Sequence, residues 1–367
     1  MDRSASRPVS ERELDQLATG AWILGTGGGG DPYHNLLNIK KLYREGRSVA
    51  LLDPQGLDDD DLVAVVSFQG APLVNEERLP DPCHMVKAIR VMEEYLGRRF
   101  AAVMSVEIGG SNGVQPFVAA ALMGLPVVDA DGMGRAFPDV SKTSFAIRDL
   151  KPCPLTVIDI RGNAVIITEG VDWFWMERIS RKVVTAFGST GSTCKAPRTG
   201  KEVKDHAILY TVSQAMRIGR TVHEARRTHA NPIVALLEQE RGKLLFRGKV
   251  VDLLRRTTEG FLRGSARIEG LDGFQGDVFA VEFQNEFSIG TLNGEVLVTV
   301  PDLICLLDTE SGEAIGTEVL RYGQRVTVIA LPAPPVLLSK KGLEHVGPRA
   351  FGFDLEYRSV FDGAKPT

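Results

Sequence analysis

Three times within the first 135 residues, a short apolar run ends in a loop of glycine and polar residues. Residues 62–68 lead into Gln69-Gly70-Ala71-Pro72, residues 101–106 into Glu107-Ile108-Gly109-Gly110-Ser111-Asn112-Gly113, and residues 126–129 into Asp129-Ala130-Asp131-Gly132-Met133-Gly134-Arg135. A continuous apolar run of strand length is the mark of a strand buried on both faces. Between these runs lie helical patterns at 85–96, where Met85, Ile89, Met92 and Leu96 share one side, and at 114–123. Strand–helix alternation of this length predicts a mostly parallel sheet covered by helices. Such sheets bind ligands at the loops leaving the carboxyl ends of the strands, so these three loops are where a site is expected.

The flanking chain fits that frame. Ser10 and Glu13 form a capping box ahead of a helix expected to run to about Leu24, where Gly25-Thr26-Gly27-Gly28-Gly29-Gly30-Asp31 stops it. Another short helix is expected at 36–44. After residue 155 the rhythm changes. Runs at 155–161 and 164–169 flank Gly162-Asn163, a hairpin-type turn. A helix at 173–186 leads into a Gly/Ser/Thr-rich loop at 187–191, and helices follow at 207–219, 222–227 and 232–239. Short strands then dominate, at 244–253, 264–268, 278–285, 295–300, 304–308 and 325–330, separated by turn dipeptides such as Asp272-Gly273 and Asn293-Gly294. The organisation predicted is α/β plus β. Residues 1–168 form a three-layer α/β domain, 169–340 a mainly antiparallel, barrel-like β domain, and 341–367 a tail packing back on the first domain.

Composition removes several classes of function. The 43 Lys and Arg against 47 Asp and Glu leave a net charge of −4, with no basic excess to neutralise phosphates, so no nucleic-acid partner is expected. No stretch approaches the roughly 18 apolar residues of a membrane span, and the polar N-terminus lacks the apolar core of a signal peptide. Cys83, Cys153, Cys194 and Cys305 lie far apart, which fits neither a disulfide framework nor a zinc knuckle and suits a reducing cytoplasm.

The glycine cluster at 25–30 follows a helix rather than a strand and lacks the lysine of a phosphate-binding loop, so it is not a nucleotide fingerprint. Exposed N–H groups of Gly27, Gly28, Gly29 and Gly30, with Asp31 beside them, are candidates to cradle a carboxylate or a ring oxygen; the alternative is a helix stop with close backbone packing. Glu107, ahead of Gly109, Gly110, Ser111 and Asn112 and a helix start, is the candidate general base, or else a loop anchor. Asp129 and Asp131 are two apart, so an extended backbone sends both to one face, where they could share a proton or hold a divalent metal. Arg135 is the nearest cation and a candidate to fork onto a substrate carboxylate. None of the six histidines forms a metal-ligand pair; His345 is the one best placed to donate a proton. Cys194 has Lys195 beside it, without further sign of a nucleophile. Glu286, in Gln284-Asn285-Glu286, is expected to line a cleft between the domains.

Several of these stretches resemble one family, the S-methyl thiohydantoin desulfurase proteins: ILGTGGGGDPY (23–33), SVEIGGSNG (105–113), VDADGMGRAFP (128–138), LLFRGKVVD (244–252), FQNE (283–286), VPDLICLLDTESGEAI (300–315), LRYGQRVTVIALPAP (320–334) and GLEHVGPRAFGFD (342–354). The resemblance implies an N-terminal three-layer α/β domain and a C-terminal β-barrel-like domain. It also implies hydrolysis of a thiohydantoin or its S-methyl derivative at the carbon bearing sulfur. On chemical grounds, water activated by Glu107 or Asp131 would attack that carbon, the glycine-loop N–H groups would hold the developing charge, and Arg135 or Arg349 would hold a substrate carboxylate. The expected ligand is a small cyclic ureide or thioureide, with no cofactor assigned and a divalent metal left open. Two alternatives stand beside it. One is a divalent-metal amidohydrolase or isomerase with Glu107, Asp129 and Asp131 as ligands. The other is a non-catalytic subunit of a hydantoinase or oxoprolinase system, with that enzyme or a second copy of the chain as partner.

Overall fold

A computed structural model describes residues 5–70, 74, 81–258 and 261–361; Ala71 and Pro72 of the first strand-end loop lie outside these. Among the described residues, nine strands come early in the chain: β1 (Ser6–Pro8), β2 (Ala50–Leu52), β3 (Leu62–Gly70), β4 (Ala102–Ser105), β5 (Val127–Val128), β6 (Ala130–Asp131), β7 (Leu155–Ile158), β8 (Ala164–Ile167) and β9 (Thr190–Thr199). All but β6 join one sheet in the order β1-β2-β5-β4-β3-β9-β7-β8. Its centre, β2-β5-β4-β3, is parallel, and the outer strands add antiparallel. β6 pairs instead with β10 (Ile208–Leu209).

Helices α1 (Glu11–Leu24), α2 (Tyr33–Arg44), α3 (Pro82–Leu96), α4 (Ser111–Met123), α5 (Ser144–Ile147), α6 (Trp173–Ala186), α7 (Gly200–His206), α8 (Thr211–Arg227) and α9 (Pro232–Glu240) surround these strands. The Ser10–Glu13 capping box opens α1 as expected. Alternate residues of β3 serve opposite cores. Ala64 and Val66 pack with Ile89, Met92 and Phe117, while Val63 and Val65 pack with Met104, Phe137 and Phe145. A sheet buried on both faces is what the unbroken apolar run at 62–68 called for.

The second sheet is antiparallel throughout. Strands β11 (Lys243–Thr258), β12 (Phe261–Gly270), β13 (Val278–Gln284), β14 (Glu286–Leu292), β15 (Glu295–Thr299), β16 (Leu303–Asp308) and β17 (Arg325–Leu331) run in the order β15-β14-β13-β12-β11-β17-β16. They curl as half a barrel around Phe246, Phe279, Phe283, Phe287, Ile304 and Val328. Bulges at Leu244/Phe246 and Val250/Asp252 bend the long β11. Beyond it, α10 (Pro335–Leu338) and α11 (Lys340–Val346) bring Leu337, Val346 and Phe351 against Val128, Met133 and Phe137. Further on, Tyr357 and Ser359 bond Asp302, and the Arg358 N–H donates to Thr299. Among the described residues no helix is long and apolar enough to cross a membrane.

β10, α7 and β14 are elements the sequence reading lacks, and two further features differ from it. The loop expected at 187–191 is shorter: β9, a strand in the interior of the first sheet, begins at Thr190 and runs on to Thr199, where the sequence reading has no strand. Its polar residues mask it: the Thr193 hydroxyl donates to the Ser67 carbonyl at 2.8 Å, satisfying inside the sheet a group that carries no strand signal. The helices expected at 207–219 and 222–227 are one, α8, with Gly219 inside it. Gly219 is tolerated there because α8 crosses α1 at backbone contact. A Cβ on Gly219 would stand 1.8 Å from the Gln16 carbonyl oxygen, and one on Gly20 1.8 Å from that of Ala215. Gly219→Ala is therefore expected to lower stability by about 1–3 kcal/mol in urea titrations, the usual cost of overpacking; an unchanged midpoint would contradict this helix crossing.

Candidate active site

At the carboxyl ends of β3 and β4 lies a half-open cavity of about 80 Å³, walled by Gln69, Glu107, Asn112, Glu177, Lys195 and Glu286 among others. Its size suits a small ring rather than a nucleotide. The first sheet supplies Gln69, Glu107 and Lys195, α6 supplies Glu177, and the second sheet closes it with Asn285 and Glu286. Asn285 holds a left-handed turn between β13 and β14 (φ 60°). It exchanges hydrogen bonds with the Leu262 backbone, which fixes the start of β14 and hence Glu286.

The glycines allow the walls to meet. A Cβ on Gly28 would lie 2.1 Å from Glu286 Oε1, one on Gly27 2.5 Å from the Phe287 ring, and one on Gly110 2.5 Å from the Gly29 carbonyl carbon. The N–H groups of Gly28, Gly110 and Ser111 are spent on the carbonyls of Gly25, Ala21, and Gly29 and Gly30. Of the candidate ligand contacts, Gly29, Gly30, Ser111 and Asn112 line the cavity, and Gly27, Gly28, Gly109 and Gly110 form the packing behind it. Asp31 is exposed and accepts the Tyr33 N–H at 2.8 Å, at the start of α2.

Arg135 is fully buried and donates all five of its N–H groups: to the carbonyls of Ala136, Pro301, Asp302 and Phe287 and to the Thr26 hydroxyl, at 2.6–3.5 Å. No N–H remains for a substrate carboxylate. The Arg349 side chain is 65% exposed, pairs with Glu356 at 2.8 Å, and stands apart from the cavity. His345 is likewise outside it, its Nδ1 2.9 Å from the Ser141 carbonyl oxygen.

The three carboxylates considered as one group have separate surroundings. Asp129 accepts the N–H and hydroxyl of Ser213 at the start of α8. Asp131 accepts the N–H groups of Ile108, Met133 and Gly134, tying the β4 loop to its own; burial nonetheless pushes its carboxyl up to about 7. Of the three, Glu107 lines the cavity. Among the described residues no group of three or more His, Cys, Asp or Glu side chains converges as a metal-ligand set.

Glu107 accepts the Asn112 side-chain N–H at 2.6 Å and the Phe137 backbone N–H at 3.1 Å. Burial raises its carboxyl to about 7, against these two bonds, which favour the charged form. Glu286 is 3% exposed, and its Oε2 is buried without a hydrogen-bond partner among the described residues. Burial, with the Glu107 charge behind it, pushes Glu286 well above the usual carboxylate range. Lys195 is 3% exposed, and burial lowers its ammonium to about 8. Gln69 donates to Glu177 and Ser180, leaving its own Oε1 buried and without a partner among the described residues. Sequence reasoning passed over Lys195 and Glu177. The one available signal was a lysine inside the small, β-branched run at 190–199, on a strand that had not been recognised.

The S-Me-THD-like, N-terminal domain family matches residues 12–169, and the S-Me-THD-like, C-terminal domain family residues 171–360. No curated protein matches the chain. A crystal structure of a protein from Chromobacterium violaceum is similar in fold, with a TM-score of 0.81 at 24% identity over 97% of this chain and 100% of that one. The two family matches follow one another across nearly the whole sequence, and by them the chain belongs to the S-methyl thiohydantoin desulfurase (S-Me-THD-like) family.

Proposed function

We propose that the chain is a hydrolase that releases thiol from a thiohydantoin or its S-methyl derivative and leaves the hydantoin. One observation carries this beyond the family name: the cavity wall includes two buried acceptors without a hydrogen-bond partner among the described residues, Gln69 Oε1 and Glu286 Oε2, beside the largely buried donor Lys195. A buried polar group left unmade costs about 1–3 kcal/mol, so a fold that keeps two such acceptors beside a cation is suited to a ligand that completes them. A five-membered cyclic thioureide presents ring N–H donors and C=O or C=N acceptors within one small outline, which answers both kinds of group.

Glu107 is the general base. Its carboxylate takes a proton from water as the oxygen adds to the ring carbon bearing sulfur. The C=N electron pair moves to the ring nitrogen, which takes the proton of the neutral Glu286 carboxyl. When the tetrahedral carbon collapses, the C–S bond breaks, the new hydroxyl returns a proton to Glu286, and C=O forms. The thiol leaves with the proton that water first gave up, so water and S-methyl thiohydantoin become hydantoin and methanethiol. Asn112 and the Phe137 N–H orient Glu107, while Asp131 holds the loop beneath it.

Thiol release from an S-methyl thiohydantoin is expected to fall roughly 10²–10⁴-fold in Glu107→Gln, the usual contribution of a positioned base, with the melting temperature kept and the wild-type rate insensitive to chelator. Retained turnover in the variant would contradict the assignment. Because only ionised Glu107 accepts the proton, kcat/KM should rise with pH through about 7; a profile flat across that value is the contrary result.

A further inference from the structure

Lys195 stands on β9 opposite Val65 of β3, deep in the sheet and on the cavity wall. Its ammonium makes no hydrogen bond or ion pair among the described residues. The charged groups around it are engaged elsewhere. Glu177 on α6 accepts from Arg181 at 2.7 Å and from Gln69 at 3.2 Å, and Arg181 also donates to the Pro138 carbonyl. Glu107, at the end of β4, is held by Asn112 and the Phe137 N–H. Cys194, next along β9, is a buried thiol whose ionisation burial suppresses. Burying an unpaired ammonium is expensive, and what remains to pair with it is whatever enters the cavity.

We infer that Lys195 is the general acid for the departing sulfur: its ammonium hands a proton to the thiolate as the C–S bond breaks and recovers one from the Glu107 carboxyl. The inference rests on the hydrolase reading above and adds the proton route that reading leaves open. Of the two cations at the cavity, Arg181 is bound to a carboxylate and Lys195 is not. A cation is the fitting acid here, because an alkyl thiolate develops negative charge beside two carboxyls, where a carboxyl donor would end as a third like charge. Glu286 and Lys195 also enter from different sheets, so the ring nitrogen and the sulfur can each meet an acid. Burial brings the ammonium to about 8, leaving it protonated at neutral pH yet ready to give its proton up.

The test compares leaving groups of similar size and unequal basicity on one ring, an S-ethyl and an S-(2,2,2-trifluoroethyl) thiohydantoin, using the full chain. Lys195→Met should lower kcat/KM about a hundredfold or more for S-ethyl and at least tenfold less for S-trifluoroethyl, whose thiolate needs no proton to leave. Equal losses on both substrates, or none, would overturn the role of Lys195 while leaving hydrolysis intact. Absence of turnover by the wild-type chain on both would overturn the hydrolase reading and this inference with it. A wild-type measurement guards against a misfolded variant: the S-ethyl rate should fall above pH about 8, and the S-trifluoroethyl rate should not. Parallel profiles would count against the inference.

Discussion

A guanidinium with no exposed surface sits in the seam between the two sheets, and the geometry of the cavity follows from how its charge is accommodated. Arg135 reaches the Thr26 hydroxyl in the glycine loop, the carbonyls of Pro301 and Asp302 before β16, and that of Phe287 on β14. A rigid five-donor fork can join that many segments; a lysine could not. Burial lowers its guanidinium to about 10, still charged at neutral pH, and the Asp302 and Glu107 carboxylates supply nearby negative charge that favours the ion. The glycine loop, the end of β6 and the first residues of β14 are thereby held in register, and the glycines let their backbones approach closely enough for Glu286 to reach the cavity.

Within that frame the same physical force, burial, has opposite consequences for neighbouring groups. Glu107 and Glu286 are both carboxyls removed from water, but Glu107 receives two N–H donors and Glu286 Oε2 none. The first is the better anion and the second the better neutral acid, and each charge state reinforces the other through like-charge repulsion. Lys195, buried with its potential partners engaged elsewhere, completes the proposed set of base and two acids in a space scaled to a small ring. Asp131 and Asp129 contribute by anchoring loops and a helix start rather than by facing the cavity.

Much of this was legible in the sequence where local composition carries the signal. The run at 62–68 reads as a doubly buried strand because alternate residues of β3 do serve two cores. Glu107 could be singled out because ligands bind at the strand-end loops of α/β sheets, and Glu286 because it was expected at the end of a strand of the second domain, lining the cleft between the domains. What escaped depends on contacts distant in sequence. Arg135 resembles a ligand clamp until its partners, 166 and 167 residues away, are seen to consume its donors. Asp129 and Asp131 share a strand-like spacing, yet one meets Ser213 and the other the β4 loop. Lys195 was hidden because β9 satisfies its hydroxyls inside the sheet and so lacks the apolar pattern of a central strand.

The account turns on Glu286 being a neutral carboxylic acid while Glu107 beside it is ionised. Infrared difference spectra of the wild-type chain against Glu286→Gln, recorded at neutral pH, address this directly, because the carboxyl bands of Glu107 and Asp131, which burial brings to about 7, are common to both proteins. A protonated-carboxyl C=O component present in the wild type and lost in Glu286→Gln is the result predicted. A difference spectrum without such a component would contradict it.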